Sequence, residues 1–137
     1  MLSHRARLWL ARLLIGLVLF INLQAALLFI WQPQVYAPGF ELVGHTGAAV
    51  VRGMGVLFLM WNIPYIVALV NPIKYRVSLS EAVVMQTIGL VGESIIYLSL
   101  PEVHSLARST IMRFIIFDAG GLVALCLATL LTKKTTT

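Results

Sequence analysis

The stretch LLIGLVLFINLQAALLFIW, residues 13–31, decides the fold class of this chain. It carries no charged residue, and about 20 apolar residues in a helix cross the hydrocarbon core of a bilayer. A cleaved signal peptide is the alternative, because Ala25-Ala26 imitates a cleavage site. Its apolar core would be only about 7–15 residues long, whereas this run continues to Trp31. We therefore expect a retained transmembrane helix.

Three further apolar runs follow, so the sequence predicts an all-α integral membrane protein, a four-helix bundle. Asn71-Pro72 ends the second run, since a residue before proline disfavours helix. Ser78 and Glu81 have the spacing of a capping box at the start of the third helix. Pro64 predicts a kink in the second helix, where Asn62 would satisfy freed backbone groups. The predicted spans are 10–31, 46–70, 79–100 and 109–132.

The composition supports a membrane protein with one domain over 1–137. Hydrophobic residues make up 60% of the chain, charged residues 11%, and the mean hydropathy is +0.95. A soluble domain is about 45–50% apolar and about 25% charged. The net charge of +5 does not indicate nucleic-acid binding, because the basic residues lie at the ends of apolar runs rather than on one patch. The bilayer is the expected partner.

The basic residues outside the apolar runs predict the orientation. By the positive-inside rule, cytoplasmic loops carry the excess of lysine and arginine. One side would carry seven such residues and the other side only Arg108; the seven are Arg5, Arg7, Arg12, Lys74, Arg76, Lys133 and Lys134. Both termini are therefore predicted to be cytoplasmic. We expect a multi-pass protein of the cell membrane, in the inner membrane of a prokaryote.

Four ionisable residues fall inside the predicted spans: Arg52, Glu93, Arg113 and Asp118. A charge at a helix centre costs on the order of 2.5–3.5 kcal/mol on insertion scales, so such a residue requires a reason. We expect all of them in the outer half of the membrane, with Arg52 and Glu93 paired. Two interpretations stay open. The residues form an ionic network that holds the helices in register, or they form a polar site for a proton, an ion or a quinone head group.

Helical spacing predicts which faces meet. On the third helix, a stripe of small and polar residues includes Gln86, and on the second helix Asn62 belongs to a similar stripe. Asp118 is rotated by about 140° from Arg113, so we expect it to face another neighbour or another subunit. The three predicted stripes are Ala82/Gln86/Gly89/Glu93, Arg52/Gly55/Leu59/Asn62 and Gly120/Ala124/Ala128. Gln86 and Asn62 are predicted as secondary polar residues of the site.

The sequence contains no catalytic signature. It has no phosphate-binding glycine loop, nucleophile elbow or dinucleotide fingerprint. The single cysteine, Cys126, lies in an apolar run, which favours packing over redox chemistry. His45, His104, Glu41 and Glu102 lack the spacing of metal ligands, and we expect solvated loop residues. We predict no metal and no cofactor, and the lack of these signatures favours a non-enzymatic role.

The segment around Arg52, the Gly92-Glu93 pair, Arg113 and the stretch DAGGL at 118–122 resemble the small DoxX-like four-helix membrane proteins. The resemblance covers the last two thirds of the chain loosely, and it implies the four-helix fold. Some members of that group are linked to quinol-oxidising or thiol-oxidising membrane complexes. Because this sequence has no paired cysteines, the resemblance does not imply thiol redox chemistry.

Three functions are compatible with these patterns. The chain has little soluble part, which favours an accessory or assembly subunit of a larger membrane complex. A homo-oligomeric transporter or channel is the first alternative, with Arg52, Glu93, Arg113 and Asp118 along its path. A redox subunit that binds quinone is the second. The expected protein partner is another membrane protein or further copies of this chain.

Overall fold

The computed structural model describes residues 3–133, and its regular structure there is helical throughout. Within these residues, four helical segments are each long and apolar enough to span a membrane: α1, the α3–α4 pair, α5 and α6. This confirms the predicted apolar helices. The helices are α1 His4–Trp31, α2 Pro33–Tyr36, α3 Gly44–Trp61, α4 Ile63–Val70, α5 Arg76–Ser99 and α6 Ser105–Thr132, and a 3-10 turn, Ala37–Phe40, follows α2.

The break between α3 and α4 lies at Asn62, where the sequence predicts a kink. The Asn62 backbone N–H donates to Leu59 O at 3.3 Å, one residue short of the α-helical pattern. The Phe58 carbonyl that this leaves free accepts a hydrogen bond from Asn62 Nδ2 at 2.6 Å. Pro64 has no N–H to continue the helical ladder. The kink is therefore confirmed, and the Asn62 side chain satisfies a backbone group that the break leaves free.

Helix α5 begins earlier than predicted, at Arg76, with Tyr75 as the residue before it. Asn71 Oδ1 accepts hydrogen bonds from the backbone N–H groups of Ile73 and Lys74, at 3.2 and 3.0 Å. This turn directs the chain into the helix before Ser78 is reached. The predicted capping box of Ser78 is therefore wrong, because that residue lies inside the first turns of α5.

The helices pack through small residues. Helix α1 lies against α3 and α6, and α5 lies against α6 and α4. A Cβ added at Gly55 would lie 2.7 Å from the Ala26 carbonyl oxygen, so α1 and α3 approach closely only because residue 55 has no side chain. Outward-facing apolar residues such as Leu13 and Val123 are 66% and 60% exposed, as expected for contact with lipid.

Two predicted stripes are only partly buried. On α6, Ala124 and Ala128 are buried, but Gly120 is exposed and Gly121 takes the inward position. On α3, Gly55 is buried while Leu59 is exposed. The spacing of these residues is helical, but the exact rotation of each helix against its neighbours decides which small residue lies at the contact.

An arginine from another part of the chain contacts the C-terminal carbonyls of every long helical segment among the described residues. Helix C-termini carry partial negative charge and unpaired carbonyls, and a guanidinium satisfies both. The contacts are Arg52 Nε to Ile30 O at 3.2 Å, Arg12 Nε to Leu69 O at 3.0 Å, Arg108 Nη1 to Leu100 O at 2.5 Å and Arg7 Nε to Leu131 O at 3.1 Å.

Candidate ligand-binding cavity

A cavity of about 550 Å³ lies between the helices. Small-molecule sites are typically about 300–1,000 Å³ and combine an apolar lining with a few polar groups. This cavity has both. Its polar and charged lining residues include Asn22, Tyr36, Asn62, Tyr65, Gln86, Glu93, Thr110, Arg113 and Asp118.

A chain of hydrogen bonds crosses the cavity from α4 through α5 to α6. The Tyr65 hydroxyl donates to Gln86 Oε1 at 2.6 Å, and Gln86 Nε2 donates to Asp118 Oδ1 at 2.8 Å. Asn22 of α1 lies within hydrogen-bonding reach of the Tyr65 hydroxyl. Each partner uses a different atom of the Gln86 amide, so the orientation of that amide is determined on both sides.

Glu93 and Asp118 face each other within reach of a side-chain hydrogen bond. Glu93 Oε2 is buried and receives no hydrogen bond from any donor in residues 3–133. Two ionised carboxylates have no donor to share and repel each other, whereas one proton between them supplies the donor and removes the repulsion. The geometry therefore suits a carboxyl pair that holds a proton.

Two glycines make room for these polar contacts. The Asp118 carboxyl occupies the space that a Cβ at Gly89 would fill. A Cβ at Gly121 would lie 2.5 Å from Gln86 Nε2. The predicted stripe on α5 therefore faces inward, and its glycine serves a polar contact between helices as well as close packing.

Aromatic rings form one wall of the cavity. Phe29 is at the centre of the group, with ring centroids 5.3 Å from Tyr36 and 5.8 Å from Phe58. Phe114 packs edge-on against Phe29 at 6.2 Å. These rings come from α1, α2, α3 and α6, so the wall exists only in the folded chain.

The segment between α1 and α3 is fastened to the start of α6. Thr110 Oγ1 donates to Gly39 O at 2.6 Å. Glu41 lies 2.6 Å from His104 Nδ1 and accepts a bond from the Ala107 backbone N–H at 3.3 Å. The hydrogen bond from His104 holds the pKa of Glu41 below its ordinary value. Glu41 and His104 are exposed, as expected, but their pairing is not evident from the sequence.

The structure brings together all but one of the predicted site residues. Glu93, Arg113, Asp118, Asn62 and Gln86 all line the cavity. Arg52 does not: it lies in a separate groove beside His45 and donates to Ile30 O. The predicted Arg52–Glu93 pair is therefore wrong, because Arg52 caps the end of α1.

The structure shows which neighbouring helix Asp118 faces. The cavity is wide enough to be lined from two sides of α6, and Asp118 points toward α5. Asp118 also lies at the midpoint of α6, because that helix begins at Ser105, earlier than predicted. The expected position of Asp118 in the outer half of the membrane stays a prediction.

Four polar lining residues, Asn22, Tyr36, Tyr65 and Thr110, are absent from the predicted site. A signal for Tyr65 was present. Its hydroxyl lies in an apolar run after a helix break, where an unpaired polar group is costly. Asn22 has no comparable signal, because an isolated amide on a helix does not indicate which neighbour it faces.

No protein-family model matches this chain, and no curated protein or solved structure matches it.

Proposed function

We propose that this chain is a membrane carrier that binds a small molecule in the cavity between its helices. The observation that supports this proposal most is a cavity of about 550 Å³ with a carboxyl pair in its wall. Ionisable residues within membrane spans mark ion, proton or substrate pathways more often than inert packing. The function corresponds to the transporter interpretation of the sequence, without Arg52 in the path.

The broken helix supports transport over simple binding. In many transporters, discontinuous helices line the substrate site near the middle of the membrane. Here the break between α3 and α4 lies at Asn62, and Asn62 lines the cavity. Its Oδ1 atom is buried and has no hydrogen-bond partner among the described residues. A break at this position supplies both a polar group and a hinge beside the ligand.

The proposed arrangement in the membrane is a four-helix bundle with both termini in the cytoplasm. The distribution of lysine and arginine supports this orientation. The cavity wall formed by Tyr36 and Phe40 would then lie toward the outer surface. The prokaryotic inner membrane and the DoxX-like relationship stay predictions from the sequence.

The other two functions also stay predictions. An accessory subunit or a homo-oligomer would bury lipid-facing surface against a partner, and native mass spectrometry of the complex extracted in mild detergent would detect one. A quinone site has less support than a carrier for other molecules. A quinone offers only acceptors, while Asn62 Oδ1 and Glu93 Oε2 are themselves acceptors without donors.

Equilibrium dialysis tests the proposed site directly. Four radiolabelled probes are offered to the full chain in lipid nanodiscs: 2-phenylethylammonium, 2-phenylethanol, 3-phenylpropanoate and a short-chain benzoquinone. We expect saturable binding of at least one probe, at about one molecule per chain. Ala25→Trp, which fills the cavity from α1, abolishes that binding. Val123→Trp, on the exposed surface of α6, leaves it unchanged.

Uptake into proteoliposomes then tests transport. The bound probe enters vesicles with the wild-type chain faster than vesicles with Ala25→Trp, which measure passive permeation. The proposal fails if no probe binds, or if Ala25→Trp binds and transports as well as Val123→Trp. Thermal unfolding and size-exclusion profiles establish that both tryptophan variants are folded.

A further inference from the structure

We infer that the ligand of the cavity is a small organic ammonium ion with an apolar, preferably aromatic, body, and that it binds the Glu93–Asp118 carboxyl pair in exchange for a proton. This inference rests on the proposed ligand site and specifies its chemistry. Four features of the cavity carry it: unpartnered acceptors, donors already in use, the balance of charge, and the aromatic wall.

The cavity has buried acceptors without donors. Asn62 is 2% exposed, and its Oδ1 has no hydrogen-bond partner in residues 3–133. Glu93 Oε2 is likewise buried and has no hydrogen-bond partner in residues 3–133. Burying a polar group without a partner is unfavourable, so a ligand that supplies N–H donors to these two oxygens is stabilised by them.

Four donors of the site are already engaged within the chain. The Tyr65 hydroxyl donates to Gln86, and the Gln86 amide donates to Asp118. Asn62 Nδ2 donates to Phe58 O, and Thr110 donates to Gly39 O. A ligand that offers only acceptors would therefore have to break one of these bonds or bind to the exposed Arg113 guanidinium.

The titratable groups that face the carboxyl pair come from three helices. Arg113 of α6, Tyr65 of α4 and Tyr36 of α2 line the cavity, whereas α1 and α3 contribute no titratable side chain to its described lining. Arg113 makes no hydrogen bond or ion pair within residues 3–133. With both carboxyl groups ionised and Arg113 charged, the lining carries one net negative charge. Either one proton or one ammonium ion neutralises it.

The aromatic wall provides the second half of the recognition. A cation near the face of a phenyl or indole ring is attracted by the ring quadrupole, and the attraction is stronger when the cation is desolvated. Phe29, Phe58 and Phe114 also offer apolar surface to an aromatic body, with centroid separations of 5.8–6.2 Å. An ammonium ion with an aryl group uses both properties.

The exchange balances in atoms and charge. The proton between Glu93 and Asp118 leaves, the ammonium ion enters with all its own protons, and the cavity stays neutral. The N–H groups of the ammonium ion take over the donor role that the proton had between the carboxyl oxygens. Protons and substrate therefore compete for one site, which is the simplest form of coupled antiport.

Isothermal titration of the full chain in nanodiscs with 2-phenylethylammonium tests the exchange. We expect release of about one proton per cation bound, measured from the dependence of the heat on the ionisation enthalpy of the buffer. The affinity is expected to fall about tenfold for each pH unit lowered while the pair is protonated. Both results come from the wild-type chain, so they do not depend on the folding of any variant.

Substitutions of Glu93 and Asp118 test whether the carboxyl pair is responsible for cation binding and proton release. Asp118→Asn and Glu93→Gln are expected to lose both cation binding and proton release. Glu81→Gln provides a matched control, because Glu81 is exposed on the same helix as Glu93 and does not line the cavity. It binds 2-phenylethylammonium like the wild type.

Failure of this inference differs from failure of the carrier proposal. If 2-phenylethanol or 3-phenylpropanoate binds as tightly as the cation, and Ala25→Trp abolishes that binding, the cavity is a ligand site but not an ammonium site. Cation binding without proton release also overturns the inference. If no probe binds at all, the carrier proposal fails with it.

Discussion

Gly89 of α5 has no side chain, and this allows the Asp118 carboxyl of α6 to pack directly against α5. A Cβ there would take the place of the Asp118 carboxyl. The Gln86–Asp118 hydrogen bond of 2.8 Å would then be lost or displaced. A hydrogen bond to a charged group contributes about 1.5–3 kcal/mol, while alanine favours a helix over glycine by about 1 kcal/mol. The loss exceeds the gain.

We therefore expect Gly89→Ala to lower the free energy of unfolding by about 1 kcal/mol. Gly92→Ala is the matched control, since its added Cβ meets nothing within 4 Å. That variant is expected to be as stable as the wild type or slightly more stable. Unfolding by a denaturing detergent in mixed micelles measures both. Equal stability of the two variants would contradict the placement of Asp118.

At the scale of the elements, arginines join the end of one helix to the body of another. Arg12 of α1 donates to Leu69 O near the end of α4 and also lies 4.7 Å from the centre of the Trp9 ring. The cationic residues that predict the orientation from sequence therefore also stabilise helix ends. Topology and stability are linked through the same side chains.

Replacement of Arg12 separates these two effects. Arg12→Gln is expected to lower the free energy of unfolding by about 1 kcal/mol, the upper end of the usual range for a cation at a helix C-terminus. Arg5→Gln removes the same charge from the same segment, but Arg5 is exposed and makes no hydrogen bond, ion pair or ring contact within residues 3–133. The Arg5→Gln variant should therefore be as stable as the wild type. If thermal unfolding in detergent finds the same loss of stability for both variants, the loss arises from the change in net charge and not from the capping contact of Arg12.

The contact between Glu41 and His104 gives a pH-dependent prediction. The pKa of Glu41 in the folded chain is lowered from 4.5, mainly by the hydrogen bond from His104. A lowered folded-state pKa contributes stability above the unfolded value, and this contribution is lost as pH falls through the folded-state value. Glu41→Gln should therefore be less stable than the wild type near neutral pH.

The difference between wild type and Glu41→Gln should shrink as the pH falls and disappear below the folded-state pKa of Glu41, where the wild-type carboxyl is also protonated. Melting temperatures in detergent at several pH values provide the measurement. Glu102→Gln, at an exposed position in the same loop as His104, serves as the control and should match the wild type throughout. A difference that persists at low pH would exclude the ionised Glu41 as its cause.

At the scale of the whole molecule, the charge distribution predicts one orientation in the membrane. Lys74 lies in the turn between α4 and α5, and Glu102 lies between α5 and α6. Both are exposed. Single-cysteine variants at these positions, with Cys126 replaced by serine, allow the orientation to be measured from either side.

We expect a membrane-impermeant maleimide added to intact cells to label Glu102→Cys and not Lys74→Cys, because the loop with the basic residues stays in the cytoplasm. In inverted vesicles the pattern should reverse. The opposite pattern would place the termini outside.

Much of the fold follows from local chemistry. The apolar runs predict the long helices, Pro64 predicts the break, and Asn71-Pro72 predicts the end of α4. The capping box at Ser78 fails because a second local signal, the Asn71 turn, acts before it. Errors of this kind arise when two nearby patterns compete and the sequence does not rank their free energies.

The candidate site was only partly predictable. The ionisable residues could be recognised because a charge in an apolar run is costly wherever it points. Their partners could not, since the rotation of α6 brings Asp118 to Gln86, and the packing of α3 against α1 places Arg52 at the end of α1. The sequence by itself determined the apolar helices, because the hydrophobic effect acts on each segment separately. The tertiary structure alone decided the cavity and the carboxyl pair, because both depend on how side chains from different helices pack against one another.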